Sequence, residues 1–81
     1  MTSKELKSYG NSIINKHVEC IFTGIIVTGT VTEFFEDKYA IGVMIKYDKP
    51  HNWGGEYYTK GDAFARKIDD FGSLKYLKII E

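Results

Sequence analysis

The side chains in this 81-residue chain whose types could do covalent or acid–base chemistry are Cys20, His17, His51 and the adjacent pair Asp69-Asp70. A nucleophilic cysteine needs exposure and a cationic neighbour to hold it as thiolate. Cys20 instead shares an alternating face with Val18 and Phe22, which reads as a core position. His17 stands near the start of the same run and could pair with an acid; otherwise it is a structural histidine. Two carboxylates can act as an acid–base pair only if both aim at one bond. Asp69 and Asp70 are neighbours in sequence and point apart. They read as a turn, with Asp70 bonding forward to the backbone ahead of Gly72. Cys20, His17 and His51 are the only soft metal ligands, and no phosphate-cradling glycine loop, nucleophile elbow or His-Glu-x-x-His motif occurs. The expectation is no catalytic residue, no metal and no cofactor.

Residues suited to binding are more prominent. His51-Asn52-Trp53-Gly54-Gly55 sets the only tryptophan beside an amide and two glycines. Exposed, such a ring offers contact area at low entropic cost; folded back, it is a lid on the end of the core. Tyr57-Tyr58 and Phe34-Phe35 are adjacent aromatic pairs, so in a strand one ring of each turns outward. Exposed rings at Phe34 or Phe35, Trp53 and Tyr58 would form a patch that marks an interface. For a nucleotide or nucleic acid, rings would stack on bases while Lys46, Lys60, Arg66 or Lys67 met phosphates. The candidate binding residues are thus Trp53, His51, Asn52, Tyr58, Phe34, Lys60 and Arg66.

These groups must be placed by short elements. Thr2-Ser3-Lys4-Glu5 has the form of a capping box. Leu6, Tyr9 and Ile13 follow near helical spacing, so a helix is expected over residues 3–9, with a possible continuation to Ile14. From Val18 the period is two. The apolar parity changes at Gly24, which predicts a β-bulge in a long bent strand over 17–35, or two strands meeting at a corner. Gly29 marks a coiled stretch or a close backbone approach. Glu36-Asp37-Lys38 is a hairpin turn. Tyr39, Ile41, Val43, Ile45 and Tyr47 then alternate without a break and define the clearest strand. Residues 49–55 read as a loop and 56–59 as a strand. Lys60-Gly61-Asp62 reads as an interruption before a strand over 63–68. A turn over 69–73 leads to a last strand over 74–80.

The chain is expected to be one domain over 1–81, a helical arm over 1–15 and a β body over 16–81. A chain of this length buries only roughly 60–65% of its unfolded surface. With one cysteine there is no disulfide to help, so packing, with a homodimer as a second source, must supply stability. Eleven basic residues balance eleven acidic ones, which gives no global support to polyanion binding. No apolar run suits a membrane span, and the start lacks a signal-peptide pattern. With a lone thiol this points to a reducing cytoplasm. Abundant Ile, Lys, Tyr and Phe beside a single Pro and a single Arg suggest an AT-rich coding genome, such as a low-GC bacterium or its phage.

The expected fold class is mainly β: a small, strongly bent antiparallel sheet or barrel of about five strands with a short N-terminal helix. Gly29-Thr30-Val31 followed by Tyr39-Ala40-Ile41-Gly42-Val43-Met44-Ile45-Lys46-Tyr47-Asp48 resembles the SH3-like barrels of the Tudor and KOW kind. There a Gly-x-Val strand leads through a hairpin into Val-x-Ile-x-Tyr-Asp. Asp70-Phe71-Gly72-Ser73-Leu74 and Tyr76-Leu77-Lys78-Ile79-Ile80 fit the closing turn and strand of such barrels. The N-terminal helix and the Trp53 segment depart from the pattern, and no aromatic cage carries over. The resemblance implies a non-catalytic platform for peptides, proteins or nucleic acid. The leading expectation is a small cytoplasmic module that acts by protein–protein interaction, of the kind a phage or mobile element uses as an accessory or inhibitor. The alternative is a nucleotide or nucleic-acid binder.

Overall fold

The computed structural model describes residues 1–80. The capping box forms as expected. The Thr2 hydroxyl accepts from the Glu5 N–H at 3.1 Å, and the Glu5 carboxylate accepts from the Thr2 N–H at 3.0 Å. These bonds satisfy amide groups that the first turn leaves free. Helix α1 (Ser3–Tyr9) ends at Gly10, and a 3-10 turn carries the chain to Ile13. Leu6 and Ile13 are fully buried, so this arm is part of the one core.

Five antiparallel strands follow: β1 (His17–Phe22), β2 (Ile25–Glu36), β3 (Ala40–Trp53), β4 (Glu56–Arg66) and β5 (Lys78–Ile79). They form one sheet in the order β4-β3-β2-β1-β5. The sheet is strongly coiled. Three strand spacings separate β1 from β4, about 14 Å if flat; the rings of Phe22 on β1 and Tyr58 on β4 are 5.5 Å apart. A 3-10 turn at Ser73–Tyr76 fills the other end with buried Leu74. The concave face holds Val18, Cys20, Val27, Val31, Val43 and Ile45, all buried, as the alternation requires. No helix is long and apolar enough to cross a membrane among the described residues.

Several boundaries differ from the sequence reading. The parity change at Gly24 is a tight turn, not a bulge. Phe22 pairs with Ile25, and Thr23 and Gly24 both take positive φ, 46° and 90°, as a two-residue hairpin turn demands. The bulge lies instead at Thr32, where the β2–β3 register slips between Val31 and Glu33. Lys60-Gly61-Asp62 does not interrupt β4; it pairs continuously with residues 44–46 of β3. The strand expected over 63–68 stops at Arg66, and the last strand shrinks to two residues after the 3-10 turn. The closing turn is held by Asp69, which accepts the Phe71 N–H at 3.1 Å, so the forward bond assigned to Asp70 belongs to its neighbour. Asp70 accepts from the Ser3 hydroxyl. Gly29 is a close approach: a Cβ there would lie 2.5 Å from the Lys46 carbonyl oxygen.

Candidate functional site

Residues 49–55, read as a loop, are mostly strand. β3 runs on to Trp53, and only Gly54-Gly55 turns, at φ 63° and 84°. Between the pairs Lys46↔Lys60 and His51↔Tyr58 the register slips. Residues 47–50 stand against Thr59 alone, a wide bulge containing the only proline, which has no N–H to give to a ladder. The bulge swings the end of β3 away from β2. Registered β2–β3 pairing starts at Gly29↔Tyr47, so residues 25–28 of β2 pair only with β1. A cleft of about 540 Å³ opens there, lined by residues 25–28 with Asp48, Lys49 and His51.

The bulge is pinned from outside the sheet. The Asp48 carboxylate accepts from the Thr28 hydroxyl at 2.6 Å and meets His17 Nε2 at 2.7 Å. One carboxylate thereby ties β1, β2 and β3 together. The Thr28 hydroxyl, then His17, hold the Asp48 carboxyl below the ordinary carboxylate range. His17 does pair with an acid, as its position allowed. The Thr28 proton goes to the carboxylate, whereas nucleophile activation would direct it to an imidazole.

Beneath the bulge lies an aromatic floor. Tyr47 packs edge-on against Phe22 with centroids 5.5 Å apart, and His51 lies 5.7 Å from Phe22 and 5.5 Å from Tyr47. The lid position considered for Trp53 is thus taken by His51 and Tyr58, both packed on Phe22. Trp53 itself is 56% exposed and Tyr57 73%; Asn52 beside them is also exposed. Across the cleft, Ile25 and Ile26 are 55% and 59% exposed. The sequence reading missed these two; as β-branched residues within the expected strand over 17–35, they read as ordinary strand.

Other expected site residues lie elsewhere. Tyr58 is half-buried against the core, its hydroxyl on Glu56 at 3.1 Å; the outward ring of that pair is Tyr57. Phe34 packs on the core, because the Thr32 bulge resets parity so that Phe34 pairs with Val43. Phe35 lies on the convex face over Gly42. The proposed ring patch therefore does not form: Phe34 pairs at Val43 and Trp53 lies ten residues further along β3, at the opposite end. Arg66 pairs with Ala40 at the end of β3 away from Trp53, bridged to Asp69 and stacked on Phe71. Lys67 bridges Glu36 at 2.8 Å. Lys46 and Lys60 do meet, as direct cross-strand partners on the convex face. Cys20 is 1% exposed, and burial pushes its thiol up to about 11. No cluster of three or more potential metal ligands occurs among the described residues.

Compared with known protein families, residues 1–79 match the model of one described as a domain of unknown function (DUF7258). The chain belongs to this family. Nothing matches among curated proteins or solved structures. The match spans the helical arm, the sheet and the closing turn, so the two-hairpin end lies within the family's extent.

Proposed function

We infer that this chain is a small binding module without chemistry of its own, which acts by protein–protein interaction through the end built by the β1–β2 and β3–β4 hairpins. The observation that carries this reading is the exposure of Ile25 and Ile26 in the cleft lining together with that of Trp53 and Tyr57 on the β3–β4 hairpin at the same end of the sheet. Large apolar side chains gathered at one place on a small surface mark an interface, and tryptophan and tyrosine are favoured anchors. A cytoplasmic setting, kinship with SH3-like barrels, and an accessory or inhibitory role in a phage or mobile element belong to the same proposal. They rest on the lone buried thiol, the coiled five-stranded sheet and the composition. The test is site-specific photo-crosslinking from position 53 in cells, against the same probe at position 39 on the opposite end. A partner captured from 53 and lost with Tyr57→Ala supports the reading; equal capture from both positions overturns it.

A nucleotide or nucleic-acid ligand has one supporting feature, the Lys46–Lys60 pair. It is set beside Asp62 and Glu33, which pair with Met44 two residues along β3. The charges on that face are mixed, so the protein-binding reading is preferred.

A further inference from the structure

The cleft beside β2 is a gap in a sheet, and its chemistry is that of a missing strand. Phe22 and Ile25 flank a two-residue turn, and pairs in that position bond each other. Alternation then turns the main-chain groups of odd-numbered β2 residues toward β1. The bonds from Asn15 N–H to the Val31 carbonyl and from Val31 N–H to the Lys16 carbonyl follow the same parity. The N–H and C=O of Ile26 therefore face the β3 side, where the bulge has removed the partner. Elsewhere in the ladder that side of β2 is occupied by β3; at Ile26 it opens into the cleft.

We propose that this cleft accepts an extended apolar peptide segment of a partner protein as an added strand on β2. The proposal rests on the protein-binding reading and names its ligand chemistry. Thr28 is already tied to Asp48, so residues 25–27 leave about 10 Å at roughly 3.3 Å per residue, room for about three peptide residues alongside them. Their main chain would exchange hydrogen bonds with Ile26. Alternate side chains would lie beside Ile26 on one face, and against Ile25 and His51 on the other, which calls for apolar groups. The charged lining is one acid and one base, Asp48 and Lys49, so nothing there attracts a polyanion. A backbone needs both a donor and an acceptor, and Ile26 supplies both.

The probe is a dodecapeptide selected on the immobilised protein from a random phage-displayed library. Two analogues, N-methylated at alternate residues in the two possible phases, test the backbone contact with the protein unchanged. On saturation the Ile26 amide should exchange at least tenfold more slowly by NMR. One N-methylated phase should bind at least tenfold more weakly while the other binds as the parent does. Ile26→Glu should weaken the parent similarly. A peptide that binds without slowing the Ile26 amide, or two analogues that bind alike, overturns the proposal. So does failure to select any peptide. A partner protein still crosslinked from position 53 would in those cases leave the broader reading standing.

Discussion

The Tyr47 ring lies across Gly61. A Cβ at 61 would stand 2.0 Å from the Tyr47 hydroxyl oxygen and 2.8 Å from the ring carbon that bears it. Gly61 pairs with Ile45, so the ring two residues along β3 uses the space that a side chain would fill. Tyr47 is buried and boxed in by Phe22 and His51, so it cannot yield without disturbing the aromatic floor. Gly61→Ala is expected to destabilise the fold by about 1–3 kcal/mol, read by urea denaturation. Combining it with Tyr47→Val should recover part of the loss relative to additivity. Simple additivity would mean the ring does not depend on the glycine.

Gly42→Ala should cost more than Gly61→Ala. Its Cβ would meet the Ala63 carbonyl oxygen at 2.5 Å and the Phe64 Cβ at 2.7 Å. A paired backbone cannot rotate away as a ring can. Comparing the two midpoints under one set of conditions checks the order.

Trp53→Ala should leave the denaturation midpoint nearly unchanged, since the ring is more exposed than buried and surface changes usually stay within about 0.5 kcal/mol. Partner capture should weaken by more than about 1 kcal/mol if the ring is an anchor. A variant that binds normally removes Trp53 from the interface.

Cys20 should resist thiol reagents in the native state and react once the chain is unfolded. Its folded value of about 11 lies above the ordinary 9.0. The native state therefore holds a proton that the unfolded state releases, and stability falls as pH rises from 9 toward 11. Cys20→Ala should flatten that part of a pH–stability profile.

At acid pH the sign reverses. Asp48 is held low by Thr28 and His17, Asp37 by the Tyr39 and Ala40 N–H groups, and Glu36 by Lys67. Their contribution is complete above the ordinary values of 3.8 and 4.5 and is lost as pH falls through the lower folded ones. Chemical denaturation below pH 4 should show a shallower acid slope for Asp37→Ala and Asp48→Ala than for the parent; parallel slopes would dismiss these contacts as contributors.

Much of the fold was legible because burial on one face imposes a period of two. The run from Ile41 to Tyr47 and the capping box at Thr2 needed no tertiary information. What the sequence concealed was set by distant partners. Gly61 reads as a breaker until Tyr47 is seen lying over it. Pro50 reads as a loop residue until the bulge opposite Thr59 gives it a place without a ladder bond. The candidate site was half legible: Trp53 announces itself, but choosing Tyr57 over Tyr58, or Phe35 over Phe34, requires the positions of two bulges. The Thr32 bulge has no local signature in residue type, and Pro50 marks the other without fixing its register.

Both hairpins reverse direction within two residues, at Thr23-Gly24 and Gly54-Gly55. The end they build therefore has no slack chain to freeze when something docks. Recognition there resembles a key meeting a cut lock more than a hand closing, and differences in grip among variants should surface as changes in how long the complex lasts rather than how quickly it forms.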